Sequence, residues 1–380
     1  MKHISNSILF DTAICILATL LAFWLYLPWS PEISYDTYQY YYPSLDILED
    51  SHSTLAQRFV RPFFRAVNPQ PVQADESKPL FIVLLRAWGL IYKTLQPHQT
   101  IPNANMYNSF MFISCVLLGL AILEFSRIMK GYFLGVICVF MTILNPWHLI
   151  FLYFPAYTQI SMAFYLFAFM ALMSPRNRST FQGGLLASMA VLSNPSMIVY
   201  VVGLLIFVLW QNWRDFQKLW KRWSLFILGC GFLFIILKFA ALIYNEHSST
   251  HQIILSPLET LQHYYQRSLT SSHFQQSLIP KYPGMFLLIL FHVSKILFGI
   301  CIIIPFYYCY EIGKRGVSAF FQDENITAVT GLLLPVVLSL ILIECGPSVQ
   351  LGRSYFIAFP IMILAVLFLL RSFWHAHGEW

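Results

Sequence analysis

The apolar residues of this chain fall in long continuous runs that are separated by short polar segments. A helix that crosses about 30 Å of hydrocarbon needs about 20 residues. In lipid, only helices and closed barrels satisfy the backbone hydrogen-bonding groups, and the runs do not alternate as barrel strands do. The pattern therefore predicts an all-α polytopic membrane protein, with residues 1–380 forming a single transmembrane domain.

About ten spans are predicted, within a range of about nine to twelve, and each is bounded by charges or prolines. The run at 79–95 is excluded because Arg86 lies near its middle, where a charge is costly in lipid. We interpret this run as a helix that lies along the interface. The predicted spans are 8–29, 106–124, 131–149, 157–173, 182–194, 196–210, 223–244, 284–309, 327–344 and 353–370.

The short basic loops decide the orientation, because cytoplasmic loops carry an excess of lysine and arginine. If 79–95 does not cross the membrane, these loops all lie on one side of it. Outside its long segments, the opposite side then carries a single basic residue, Arg353. This predicts cytoplasmic termini, an outer loop at 30–105 that carries interfacial helices, and a second outer loop at 245–283. Pro195 predicts an outer hairpin tip at SNPS. The basic loop residues are Arg127, Lys130, Arg176, Arg178, Arg214, Lys218, Lys221, Arg222, Lys314 and Arg315.

Composition narrows the function classes. The chain is 58% hydrophobic and 11% charged, and its formal charge of +6 is explained by the cytoplasmic loops, so no nucleic-acid partner is predicted. The seven cysteines lie almost entirely within apolar runs and have no metal-site spacing, which argues against disulfides and a zinc site. No βαβ pattern with a glycine-rich turn is present to bind a nucleotide, so cytosolic sugar-nucleotide chemistry is disfavoured.

Polar residues recur at the outer ends of the predicted spans, which indicates a site that faces outwards. One carboxylate among them is surrounded by tyrosines in the stretch ISYDTYQYYYPS at 33–44. The residues at these ends are Asp36 after the first span, Lys78 before the interfacial helix, His148 and Tyr157 around the turn into the fourth span, Asn194 at the hairpin tip and Arg353 before the last span.

This order of motifs resembles the GT-C superfamily of membrane glycosyltransferases, which includes protein O-mannosyltransferases and the aminoarabinose transferase of lipid A. An acid soon after the first span, a Lys-Pro start to an amphipathic helix and proline turns after later spans are similar to that superfamily. The likeness covers nearly the whole chain. Its motifs here are ISYDTYQYYYPS, KPLFIVLLRAWGLIY at 78–92, LNPWHLIFLYFPAYTQ at 144–159, VLSNPSMIVY at 191–200 and GRSYFIAFP at 352–360.

The resemblance implies transfer of a sugar, with inversion, from a polyprenyl-phosphate donor to a lipid, glycan or protein acceptor at the outer face. Asp36 would be the general base that accepts the acceptor's proton. Arg353 would bind the departing lipid phosphate, helped by Lys78 and with Tyr355 beside it. Two other acids, Glu32 and Asp46, are alternative candidates for the base.

Further residues are predicted to line the acceptor cavity. The superfamily often has a second acid where Thr158 and Gln159 stand, and a lysine where Asn194 stands. No metal ligands and no cofactor are therefore assigned, and a bound divalent metal remains an alternative. The remaining predictions are membrane lipids as partners and a bacterial inner membrane as location, with a transporter or lipid flippase as the alternative function. The predicted cavity residues are Tyr35, Tyr38, His148, Tyr157, Gln159 and Asn194.

Overall fold

Helices dominate the computed structural model of this protein. The residues that it describes are 2–26, 45, 48, 58–59, 64–66, 78–101, 103–145, 157–174, 176–212, 215–246, 252–254, 295–320, 323–345 and 360–372. The helices of more than four residues are α1 (Lys2–Tyr26), α2 (Pro79–Leu95), α3 (Ala104–Ile128), α4 (Tyr132–Ile143), α5 (Tyr157–Met173), α6 (Asn177–Ser193), α7 (Ile198–Asn212), α8 (Phe216–Glu246), α9 (Lys295–Arg315), α10 (Glu324–Cys345) and α11 (Pro360–Ser372), and one short helical turn, Val317–Phe320, lies between α9 and α10.

Four helical segments in the described part of the chain are long and apolar enough to cross a membrane. They are Ile8–Leu25, Ala104–Ile128, Pro195–Asn212 and Phe216–Ile236. Shorter apolar helices accompany them at Tyr132–Ile143, Tyr157–Met173, Ile326–Leu338 and Pro360–Ser372. The chain is thus a helical membrane protein, as the continuous apolar runs predicted.

Several boundaries differ from the predicted spans. α8 begins at Phe216 instead of 223 and α6 at Asn177 instead of 182, because both helices continue through a polar first turn. α4 ends at Ile143, ahead of Pro146, instead of reaching 149, since the residue before a proline is biased away from helix. α9 continues past the predicted end at 309 to Arg315.

Named contacts show the directions of the first helices. Asp11 of α1 forms an ion pair with Arg127 near the end of α3, whereas Phe23 of α1 meets Phe112 nearer the start of α3, with ring centroids 5.8 Å apart. α1 and α3 are therefore antiparallel. We call the end of the bundle that holds Arg127 the Arg127 end and the opposite one the Lys78 end.

The remaining neighbours continue the alternation. α5 runs parallel to α3, since Phe125 packs on Phe169 and the two helix starts share one apolar cluster. α6 returns beside α5, and α10 is antiparallel to α7, because Gly203 faces Pro335 while Gly331 faces Phe207. α11 ends at the Arg127 end, where Arg371 donates to the Met129 carbonyl at 2.8 Å.

α6 and α8 cross with their backbones in contact. A Cβ at Gly184 would overlap the Phe226 carbonyl oxygen, and a Cβ at Gly229 would overlap the Phe181 carbonyl oxygen. Small residues allow such close approach between membrane helices, where dispersion contacts replace the hydrophobic effect. The two helices run parallel, as they must when α7 returns between them.

The break between α6 and α7 falls at Asn194, where the SNPS motif predicted a turn. The Asn194 side chain accepts a hydrogen bond from the Ser196 backbone N–H at 3.2 Å and caps a short 3-10 helix at Pro195–Met197. α6 packs on α5 and α8, whereas α7 packs chiefly on α10 and α8. The turn thus sends two consecutive helices to different neighbours.

A short antiparallel ladder joins the two predicted outer loops. β1 (Phe64–Ala66) pairs with β2 (Gln252–Ile254), with Phe64 opposite Ile254. β2 follows the end of α8, and β1 precedes the start of α2. The pairing was not predicted, because three-residue strands carry too little sequence pattern to be recognised.

At the Arg127 end, the buried Arg222 of α8 joins three helices. Its guanidinium donates to the carbonyl oxygens of Leu172 at 2.6 Å and Ser174 at 3.0 Å, and to Thr180 Oγ1 at 3.2 Å. The last carbonyls of a helix have no partner within it, so Arg222 caps α5 from a neighbouring helix.

Replacing Arg222 with alanine is expected to lower the free energy of unfolding by about 2 to 3 kcal/mol, because buried carbonyl groups lose a charged donor. Thermal or denaturant-induced unfolding of the purified protein in detergent measures the change. Lys221→Ala is the control, since Lys221 is adjacent but exposed, and its effect should stay within about 0.5 kcal/mol. Equal losses for the two variants would contradict the assigned role of Arg222.

Candidate functional site at the Lys78 end

The candidate site begins where α2 starts against α5. Lys78 Nζ lies 4.5 Å from the centroid of the Tyr157 ring, a cation–π contact. Tyr157 is buried, and its ring meets Phe81 edge to face, with centroids 5.8 Å apart. An ammonium group is thus held at the start of one helix by the first residue of another.

The sequence of α2 explains why it holds this position. Pro79 occupies the first turn, where its missing N–H costs nothing, and the Lys78 carbonyl accepts from the Ile82 N–H at 3.1 Å. The buried side of α2 packs into an apolar cluster with the starts of α3 and α5. Arg86 lies on that side, and its guanidinium donates to the Arg58 carbonyl at 2.7 Å. Arg86 is therefore buried in protein, which removes the cost that a bare arginine would carry.

Buried polar side chains from α5 and α6 meet at the same end. Gly183 of α6 packs against Ala168 and Leu172 of α5, so Asn194, about eleven residues further along α6, comes level with the first turn of α5. That turn carries the buried Gln159, and the last residue of α6 is the buried Ser193.

Two of these groups lack hydrogen-bond partners in the described part of the chain. They are the Gln159 side-chain oxygen Oε1 and the Ser193 hydroxyl. Buried polar groups are normally hydrogen-bonded, so these two groups indicate a place where a polar ligand or water completes the bonding. Further along the bundle, the Tyr165 hydroxyl is buried without a partner among the described residues. The Tyr165 ring packs on the Tyr200 ring, with centroids 5.5 Å apart.

The structure therefore places four of the predicted site residues at the same end of the bundle. Lys78 and Tyr157 are in contact, whereas Gln159 and Asn194 lie at that end on α5 and after α6. Asn194 uses its side-chain oxygen to cap the turn, which gives it a structural task that the sequence motif did not reveal. The other predicted site residues, Asp36, Arg353, Tyr355, Tyr35, Tyr38 and His148, lie outside the described residues.

Helix direction relates two of those positions to the site. α1 ends at Tyr26 at the Lys78 end, ten residues before Asp36 in the chain. α11 ends at the Arg127 end, so its first residue, Pro360, lies towards the Lys78 end, seven residues after Arg353.

Some buried polar residues were not predicted from the sequence. Ser193 was regarded only as part of the SNPS turn, and Asp11 only as part of an apolar run. Asp11 is buried, pairs with Arg127 and accepts from the Tyr132 hydroxyl at 2.7 Å. A lone carboxylate inside an otherwise apolar span is itself a signal for such a partner.

The described residues contain no group of three or more histidine, cysteine, aspartate or glutamate side chains that could hold a metal ion. Compared with known proteins, the chain matches no family model and no curated sequence.

Proposed function

We propose that this protein is an integral-membrane glycosyltransferase. It transfers a sugar from a polyprenyl-phosphate donor to a lipid, glycan or protein acceptor at the outer membrane face. The observation that carries the proposal is the composition of the Lys78 end, where the Lys78 ammonium lies over Tyr157 and the buried polar side chains of Gln159 and Ser193 lie on neighbouring helix ends. A cation at the same end of the bundle as two polar groups that have no partner among the described residues suits a ligand that combines a phosphate with hydroxyl groups.

The helix directions support the roles that the sequence motifs suggest. In the proposal, Asp36 comes from the segment after α1 and acts as the general base towards the acceptor. Arg353 comes from the segment before α11 and binds the lipid phosphate through a bidentate guanidinium, with Tyr355 beside it. Both segments adjoin helix ends that face the Lys78 end.

The reaction needs charge balance at two points. The acceptor hydroxyl or amine loses its proton to the carboxylate as its bond to the anomeric carbon forms. The bond from that carbon to the phosphate oxygen breaks, and the departing polyprenyl phosphate takes the electron pair. Lys78 and Arg353 stabilise the negative charge that grows on this oxygen. One base suffices for such an inverting transfer.

The proposal includes a topology of about ten crossings, with both termini in the cytoplasm of a bacterium and the Lys78 end outside. The alternating directions of α1, α3 and the helices from α4 to α11 support this arrangement. The basic residues Arg127 and Arg222 at the opposite end are where the positive-inside rule expects them. α2 is proposed to lie at the outer interface.

Replacing Lys78 with glutamine is expected to lower kcat/KM for the lipid-linked donor by about tenfold to a hundredfold, because the phosphate loses a charged partner. The assay supplies labelled polyprenyl-phosphate sugars that carry hexose, pentose or amino sugar groups. It measures both sugar transfer and the release of polyprenyl phosphate.

Lys93→Gln is the matched control, because Lys93 lies in the last turn of the same helix and the variant loses the same charge. It should retain the wild-type rate. If wild-type protein releases no polyprenyl phosphate from any of these donors, the glycosyltransferase proposal fails. A polytopic transporter or lipid flippase then becomes the better hypothesis, and movement of the intact lipid across the vesicle membrane tests it.

A further inference from the structure

An open groove lies along the first turns of α8, at the Arg127 end and thus far from the candidate site. Its volume is about 530 Å³, and the residues that line it fall between Phe216 and Leu228. Phe216 is 75% exposed and Trp220 is 59% exposed. The Trp220 ring stacks on Trp223, with centroids 5.5 Å apart and planes at 28°. This concentration of exposed aromatic surface has no part in the proposed sugar transfer.

The basic residues of this segment divide into two groups. Arg222 is buried and committed to the carbonyl oxygens of α5. Lys218 and Lys221 are exposed, and neither forms an ion pair within the described part of the chain. Asp215 accepts from the Lys218 backbone N–H at 3.0 Å and caps the helix. The Lys221 ammonium group therefore belongs to a residue that lines the groove, Lys218 lies about one helical turn before it, and the segment keeps a net positive charge.

The groove continues into an apolar helix face. Leu228 follows Trp220 about two helical turns later, Phe232 and Ile235 come at further steps of four and three residues, and all three are exposed. Only 17% of Phe216–Ile236 is buried inside the bundle, compared with 61% of Ala104–Ile128. Because this segment is a candidate membrane span, its exposed apolar face is suited to lipid chains.

We propose that this groove is a binding site for an anionic phospholipid. The lipid phosphate lies between Lys218 and Lys221, the Trp220 indole lies at the level of the headgroup, and an acyl chain follows the apolar face through Leu228. The order of groups along α8, first cations and indoles and then hydrocarbon, matches the polarity profile of one membrane leaflet. Basic residues beside a membrane helix attract anionic headgroups in this way. The site is independent of the proposed sugar transfer.

The first experiment compares lipid binding by native mass spectrometry. The delipidated full-length protein is titrated with phosphatidylglycerol or with phosphatidylcholine of the same acyl chains. We expect wild-type protein to bind the first phosphatidylglycerol about tenfold more tightly, since both lysines attract the anionic headgroup. The double variant Lys218→Gln/Lys221→Gln should lose this preference.

The control is Lys130→Gln/Lys314→Gln, which removes the same charge from exposed lysines outside the groove. This variant should retain the preference. Each variant is checked by its unfolding midpoint, so that a loss of fold is not scored as a loss of binding. An equal loss in the control, or a preference that persists without Lys218 and Lys221, overturns the proposal. The same spectra also report dimers. If a dimer persists in the presence of lipid and dissociates in the groove variant, a second copy of the chain occupies the groove instead of a lipid.

The second experiment locates the lipid. Trp220→Phe removes a fluorophore at the groove, and Trp24→Phe removes one that is 73% exposed on α1 towards the opposite end. The quenching assigned to Trp220 should be greater with brominated phosphatidylglycerol than with brominated phosphatidylcholine. The quenching assigned to Trp24 should be the same with both lipids. Equal quenching of Trp220 by the two lipids would show that the groove does not select anionic lipid.

Discussion

Replacing Asp36 with asparagine is expected to reduce sugar transfer by about 10²- to 10⁴-fold while leaving binding of the lipid-linked donor nearly unchanged. The reason is that asparagine has nearly the same shape but cannot accept the proton of the acceptor, so the loss falls on kcat. The donor phosphate is bound by cations in the proposal, and their number does not change. Single-turnover transfer of labelled sugar measures the rate, and equilibrium binding of the same donor measures affinity.

The neighbouring acids provide the controls for this variant. Glu32→Gln and Asp46→Asn each remove one carboxylate from the same segment of the chain. If Asp36 is the base, both should transfer sugar within a few-fold of the wild-type rate. A loss of two orders of magnitude in either of them, with normal transfer by Asp36→Asn, would move the role of base to that residue. Normal transfer by all three variants would exclude a carboxylate base from this segment.

Replacing Gly229 with leucine is expected to lower the free energy of unfolding by more than about 3 kcal/mol. The new Cβ would overlap the Phe181 carbonyl oxygen and lie about 3.1 Å from Gly184 Cα and from the Leu185 backbone nitrogen. Overpacking against side chains costs about 1 to 3 kcal/mol, because side chains can turn away. Here the obstacle is backbone, so α6 and α8 must separate along their whole crossing. Unfolding in detergent measures the loss.

Gly231→Leu is the matched control for that variant. Gly231 lies in the same helix two residues further on, and a Cβ there would meet nothing within 4 Å. Leucine has a higher helix propensity than glycine by about 0.5 to 1 kcal/mol, so this variant should be as stable as the wild type or slightly more stable. If both substitutions destabilise equally, helix propensity or insertion accounts for the effect and the crossing does not.

The length and bounds of α5 show what apolar pattern predicts well. The predicted span at 157–173 and the observed helix Tyr157–Met173 coincide, because proline precedes the helix and a polar loop follows it. α8 shows the opposite case. Its apolar run begins at 223, yet the helix starts at Phe216, since Arg222 finds acceptors in α5 and Lys218 faces outwards. An average over hydropathy cannot register that a charged residue has a partner.

The candidate site was predicted as separate residues and not as an arrangement. Lys78 and Tyr157 were both selected, each for its place at the start of a helix, but nothing in their spacing indicates that the ammonium lies over the ring. The Ser193 hydroxyl, which has no partner among the described residues, and the Gly184–Gly229 crossing both depend on which helices become neighbours. Such pairings are decided by side-chain shape across the whole bundle, which a one-dimensional pattern does not contain.

The ion pair between the buried Asp11 and the partly exposed Arg127 has a consequence for the order in which the protein is assembled during synthesis. α1 leaves the ribosome long before its partners, because Arg127 and Tyr132 are made more than one hundred residues later. Until then the Asp11 carboxylate has only water near the membrane surface to solvate it, which opposes deeper insertion. α1 therefore anchors the nascent chain early but docks late.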